Sequence, residues 1–152
     1  MMDTHPILHA SDGSQAAVRA LDLAYELAIS RKAPLLIVHV QRQHGRDSVP
    51  PELEEFSRIE QGEETEMLLF RRIANHIAAD AERRAKDLGV SSVETVVLEG
   101  DPATRIVDAA REHGARMIVM GSRGLGDMQG LMLGSVSHKV AHIAPCTCIT
   151  VR

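Results

Sequence analysis

Aromatic side chains are nearly missing from this chain of 152 residues, which has no Trp, one Tyr and two Phe. The core must therefore be assembled from Val, Ile, Leu, Ala and Met, and the flat surfaces on which single-stranded nucleic acids stack are scarce. Basic excess is missing too. Lys and Arg number 17 against 21 Asp and Glu, for a formal net charge of -4, so no cationic stripe recruits a phosphate backbone and no nucleic-acid partner is expected. No segment approaches the roughly 18 consecutive apolar residues of a membrane-spanning helix. The opening MMDTHPILHASDGS lacks a charged leader before a long apolar run, so a cytoplasmic protein without a membrane partner is expected. Cysteine is limited to Cys146 and Cys148. Their side chains are read as pointing to opposite faces of a terminal strand, which would exclude a mutual disulfide.

What is present suits one domain, residues 1–152, around one core, with an ordinary apolar share of 44%. Ile7 to Ser11 is a short apolar run broken by Asp12-Gly13-Ser14, after which Ala17, Leu21, Ala24 and Ala28 recur at helical spacing. Pro34 opens LLIVHV, whose unbroken apolar character predicts a strand covered on both faces. Gln41 to Pro51 reads as a polar loop, and Glu52 to Glu66, with seven glutamates, as a solvated stretch. From Met67 to Leu88 a stripe through Phe70, Ile73, Ile77, Ala81 and Ala85 predicts the longest helix.

Val93 to Leu98 reads as a strand. Asp101-Pro102 then supplies cap and first-turn chemistry for a helix that Gly114 stops. MIVMG, residues 117 to 121, is a fourth strand, Ser135 is expected to cap a helix that Pro145 ends, and Thr147 to Val151 is a fifth strand. The alternation predicts an α/β fold: a doubly wound, five-stranded parallel sheet flanked by helices, with ligands bound beyond the carboxyl ends of the strands.

Chemistry concentrates after the fourth strand. The chain reads Gly121-Ser122-Arg123-Gly124, nine residues from Leu125 to Leu133, then Gly134-Ser135-Val136 leading into the last helix. Phosphate oxygens need several N–H donors converging at short range. Glycine lets the backbone come close, and a helix N-terminus adds unpaired N–H groups and a favourable dipole. Ser135 can donate to phosphate or cap its own helix, Arg123 can supply positive charge, and no Walker lysine is present. The bland alternative is that these glycines only turn the chain and start a helix.

This Gly-x2-Gly-x9-Gly-Ser arrangement, with the Asp12-Gly13-Ser14 turn, the LLIVHV strand and the closing APCTCITVR, closely resembles the universal stress protein family, in particular its ATP-binding branch. The resemblance covers almost the whole chain and implies a Rossmann-like sheet of the adenine nucleotide alpha hydrolase type. It implies that Asp12 contacts the ribose or the metal-phosphate region, that the backbone of Val40 reads the adenine edge, and that Gly121, Arg123, Gly124, Gly134, Ser135 and Val136 line the phosphates. ATP with Mg2+ is the implied ligand, with slow hydrolysis at most, and the implied role is nucleotide-dependent regulation of a stress response. Asp12 has a second reading, as an Asx-type turn before the helix.

His9 and Ser11 depart from the family's apolar or small first-strand residues, and His9 is expected to be a satisfied core histidine. His138, His142, Cys146 and Cys148 permit a zinc site to be drawn, but no metal ligand is assigned. The uncharged closing strand would be an exposed edge, and the family commonly dimerises there, so a homodimer through the C-terminal strand is expected. An enzyme of the same fold would carry a Ser-Gly-Gly-x-Asp-Ser loop that Ser11-Asp12-Gly13-Ser14 does not match, and the intact glycine motif argues against a nucleotide-free member.

Overall fold

A computed structural model describes residues 4–42, 66–123 and 133–152. Its elements run β1 (Ile7–Ala10), α1 (Gln15–Arg31), β2 (Leu35–Gln41), α2 (Glu66–Asp87), β3 (Val93–Glu99), α3 (Pro102–Glu112), β4 (Met117–Gly121), α4 (Ser135–Ile143) and β5 (Thr147–Val151). The sheet order is β3-β2-β1-β4-β5, and every neighbouring pair is parallel. This is the expected doubly wound sheet. Gln41, expected in a loop, closes β2, because β2 pairs with β3 as far as Gln41↔Glu99. Apart from Gln41, Arg42 and Glu66, the loop and glutamate-rich stretch lie outside the described residues.

Each face of the sheet buries its own cluster. On one side Ile7, Leu35, Ile37 and Val119 meet Ala20, Leu21, Ala24, Tyr25 and Ala28 of α1 and Ala81 and Ala85 of α2. On the other, Leu8, Leu36, Val38, Ile118 and Met120 meet Ala103, Ile106, Val107 and Ala110 of α3 and Val140 of α4. The alternation along β2 explains its continuous apolar sequence, since successive residues feed opposite cores. With so few aromatic rings, the helices approach the sheet on alanines. The buried Tyr25 hydroxyl donates to the carbonyl of Ala81 at 2.8 Å and ties α1 to α2.

The cysteine expectation is corrected. Cys146 and Cys148 both pack against the α3–α4 side of the sheet, because residues two apart in extended backbone share a face. Both are free thiols, and burial raises the pKa of each. His9 is only half as satisfied as expected. Its ring is fully buried, and Nδ1–H donates to the Val119 carbonyl at 3.0 Å. Its buried Nε2 has no hydrogen-bond partner among the described residues. Among those residues, too, no helix is long and apolar enough to cross a membrane.

Burial holds the His9 pKa down to about 4 from 6.5, against the opposing hydrogen bond to Val119. Between those values the unfolded chain takes up a proton that the folded chain refuses. Stability therefore falls as pH is lowered from about 6.5 towards about 4 and levels off below, by a few kcal/mol at most from this residue. Burial shifts His39 in the same direction, so it leaves a residual slope. Urea midpoints measured across this window are expected to fall on acidification, and His9→Leu is expected to flatten most of that dependence. An unchanged slope in His9→Leu would show that His9 is not its source.

Candidate functional site

Because β1 leads through α1 to β2 on one side while β4 lies on its other side, the chain connections diverge between the carboxyl ends of β1 and β4. In sheets of this kind that divergence opens a crevice for ligands. The turn after β1 forms its first wall. Gly13 takes φ +79, a left-handed conformation that favours glycine. Asp12 accepts the N–H of Ser14 on Oδ1 at 2.9 Å, and the Ser14 hydroxyl oxygen caps α1 by accepting from the Ala17 N–H at 3.1 Å. Asp12 thus makes the Asx turn of its second reading, while the cap itself belongs to Ser14.

The end of β2 forms the next wall. The last β1–β2 pair is Ala10↔Val38, so His39, Val40 and Gln41 run on beyond the end of β1. There His39 donates from Nδ1 to the carbonyl of Ser11 at 2.6 Å and fastens the β1–α1 turn to β2. A carbonyl can only accept, so Nδ1 carries the ring hydrogen. Burial is the main influence on the His39 pKa and lowers it, opposed by the Ser11 bond and by Asp12. The half-buried side chain of Val40 rests on the α3–α4 cluster.

At the end of β4, Gly121 has a packing reason of its own. A Cβ there would lie 2.9 Å from the backbone carbon and Cβ of Ala16 and from the backbone nitrogen of Ala17. Only glycine lets the first turn of α1 lie so close to β4. Next to it, the N–H of Ser122 donates to the Val151 carbonyl at 2.6 Å. The Ser122 carbonyl accepts from the Gly134 N–H at 2.6 Å and from the buried Ser137 hydroxyl at 2.7 Å. One carbonyl therefore joins the end of β4 to the start of α4. Arg123 is exposed, and Gly124 lies outside the described residues.

The expected cap of α4 is corrected by one position. Gly134 is the N-cap, in extended backbone, and among the described residues no side chain caps the helix. Ser135 is the first helical residue and exposed, so its hydroxyl stands a step too late to cap. By contrast, Ser14 caps α1 and Asp101 caps α3 with side-chain oxygens. Val136 is half-buried against the α3–α4 cluster.

A second polar fastening holds α3 to α4. Asp101 accepts on Oδ2 from the Thr104 N–H at 3.0 Å, the Thr104 hydroxyl at 2.7 Å and the Lys139 ammonium at 3.0 Å. These contacts, Thr104 foremost, lower its pKa to about 2. His138 and His142 are exposed on α4, and among the described residues no three His, Cys, Asp or Glu side chains are grouped to hold a metal.

The structure thus brings Asp12, Val40, Gly121, Arg123, Gly134, Ser135 and Val136 to the carboxyl end of the sheet, on the ends of β1, β2 and β4 and the start of α4. The sequence reading missed His39, Ser122 and Ser137. Only the place of Ser137 three residues after an N-cap glycine hints at its role, and only once the cap is known.

The profile of the universal stress protein family matches residues 4–152. The chain is 36% identical over 154 residues to universal stress protein YxiE of Bacillus subtilis, covering 96% of this chain and 97% of that one. Its fold is similar to a universal stress protein from Archaeoglobus fulgidus in complex with dAMP, with TM-score 0.67, 25% identity and full coverage of both chains. It is also similar to a universal stress protein in complex with cAMP, with TM-score 0.68, 26% identity and 97% of each chain covered.

Gly121→Ala is expected to destabilise the fold by about 1–3 kcal/mol, because backbone atoms rather than flexible side-chain ends meet the new methyl group. Urea unfolding measures this, and a loss no larger than that of the exposed variant Arg123→Ala would contradict the packing account. Asp101→Ala is expected to cost about 1 kcal/mol as a lost cap. In the wild type that contribution is present above the ordinary carboxylate range and is lost as pH falls towards about 2. A pH series of wild type against variant reads the convergence.

Proposed function

The chain belongs to the universal stress protein family, and on that premise we propose that it binds an adenine nucleotide at the carboxyl ends of β1, β2 and β4. The observation that carries this reading is the N-terminus of α4, which stands beside the divergence of β1 and β4 with no side chain among the described residues capping it. A helix leaves its first N–H groups unpaired, and those of α4 remain available to anionic oxygens, with the positive end of the helix dipole behind them. The dAMP and cAMP named with two relatives support the same class of ligand.

In this reading Ser135 and Val136 offer backbone donors to phosphate, Gly121, Gly124 and Gly134 line the phosphates, the N–H of Gly134 being held by the Ser122 carbonyl, and Arg123 adds charge from the rim. The backbone of Val40 reads the adenine edge, and Asp12 faces the ribose or the metal-phosphate region. ATP with Mg2+ is the proposed cellular form, and the magnesium would neutralise phosphate charge near Asp12. The protein acts as a nucleotide-dependent regulator of stress response, with slow hydrolysis at most, since phosphoryl transfer then rests on positioning and charge alone. ATP must favour one conformation or assembly over another for such regulation to work.

The proposed assembly is a homodimer through β5. This strand lies at the edge of the sheet, and its sequence TCITV carries no charge to discourage pairing. Two-fold pairing of identical strands would satisfy both edges at once.

Purified protein, once denatured, is expected to release an adenine nucleotide identifiable by chromatography and mass, and refolded protein is expected to rebind ATP in equilibrium dialysis. Gly134→Val, which places a branched side chain at the donor cluster, is expected to weaken binding by about tenfold or more, near 1.4 kcal/mol. A wild-type protein that neither retains nor rebinds ATP, AMP, dAMP or cAMP would overturn the proposal.

A further inference from the structure

We infer that Ser137 is a positioning residue for phosphate recognition: its hydroxyl locks the first turn of α4 onto the end of β4 and so aims the uncapped amides of that turn. The inference rests on the nucleotide-binding reading and adds to it a residue outside the glycine motif, one that touches no ligand itself.

Ser137 is buried, with 4% of its surface exposed. Its hydroxyl lies 2.7 Å from the Ser122 carbonyl and 3.1 Å from the Gly134 carbonyl. A hydroxyl has one proton to give, so the shorter contact is the principal bond and the longer one a shared branch. The Ser122 carbonyl also receives the Gly134 N–H at 2.6 Å. Both of its lone pairs are thereby filled, and its own N–H is held by Val151. Every polar group of the Ser122 backbone is bonded, and two of those bonds lead to the first turn of α4.

Without the Ser137 hydroxyl, one bond from Gly134 would have to hold α4 against the sheet end. A single hydrogen bond is a pivot, whereas two bonds on one carbonyl fix a direction. Directed donors matter most for phosphate, because charge-assisted hydrogen bonds weaken quickly when misaligned. The remaining packing of α4, through Val140 and Val136 on the α3–α4 cluster and through the exposed Lys139–Asp101 ion pair to α3, fixes its depth better than its aim at the end of β4. Removal of the hydroxyl should therefore discriminate between ligands with and without phosphate.

The test compares the affinity for ATP with that for adenosine in wild type, Ser137→Ala and Ser137→Thr, with thermal unfolding of each protein without ligand. Ser137→Ala is expected to lose about tenfold in ATP affinity while its adenosine affinity changes little. Ser137→Thr, which keeps the hydroxyl, is expected to recover most of the loss. If Ser137→Ala does not fold, Ser137→Cys, of similar size and with a weaker donor, carries the same comparison. Equal losses for both ligands, or a lowered melting temperature with no change in the ATP-to-adenosine ratio, would overturn the inference while leaving nucleotide binding intact. A wild-type protein that binds no nucleotide would defeat the underlying reading instead.

Discussion

Backbone lies directly against backbone where β4 ends beneath the first turn of α1. Any side chain at Gly121 would enter the space held by Ala16 and the nitrogen of Ala17, so the contact exists only because one partner has no Cβ and the other is a short alanine. That approach fixes the height of α1 over the sheet and the place of the β1–α1 turn with Asp12. The rest of α1 follows the same rule, resting on Ala20, Ala24 and Ala28. A chain nearly without aromatics gains stability by bringing its layers close, and each approach depends on small residues at particular positions.

Above this contact polar bonds add to the apolar packing that holds the carboxyl ends of the strands. His39 holds Ser11, Ser137 and Gly134 hold Ser122, and Lys139 holds Asp101. Each bond joins elements distant in sequence, and each ends on a group adjoining the crevice or on the helix that carries it. Buried polar groups are costly unless paired, and here pairing gives the loops fixed positions that apolar contacts alone would leave adjustable. The Nε2 of His9, without a partner among the described residues, lies deeper, on β1, where alternation sets His9 on the same face as Ile7. Its cost appears as acid sensitivity of the fold and not as a feature of the crevice.

The strand positions were legible because β1, β2 and β4 are short apolar runs between strong breakers, and helix positions were legible from alanine and leucine at helical spacing. The glycine positions were legible as well, but not all their reasons. Gly121 reads as a phosphate glycine, yet its position is already demanded by Ala16 and Ala17, which lie more than a hundred residues away in the sequence. Ser135 reads as a cap because serine is a favoured cap residue, but the helix begins one residue earlier in the turn, and a one-residue shift changes an acceptor for its own helix into an exposed side chain. His39, Ser122 and Ser137 were invisible because their partners are main-chain carbonyls, which have no signature in a sequence. The cysteines were misread by an error of strand geometry, since two residues span one full pleat and return to the same face.

Two kinds of polar chemistry meet at this end of the sheet. The donors that the proposed reading places at the start of α4 are main-chain amides, which do not titrate, so in that reading their attraction for anions would persist at any pH at which the fold survives. In a chain with a net charge of -4 the overall field repels anions, and in the proposed reading the local dipole and Arg123 would oppose that repulsion. The titrating histidine burden sits in His9 on β1, with His39 tied to the turn beside it. Acid therefore acts on the fold through these histidines, while the main-chain amides of α4 keep their protons.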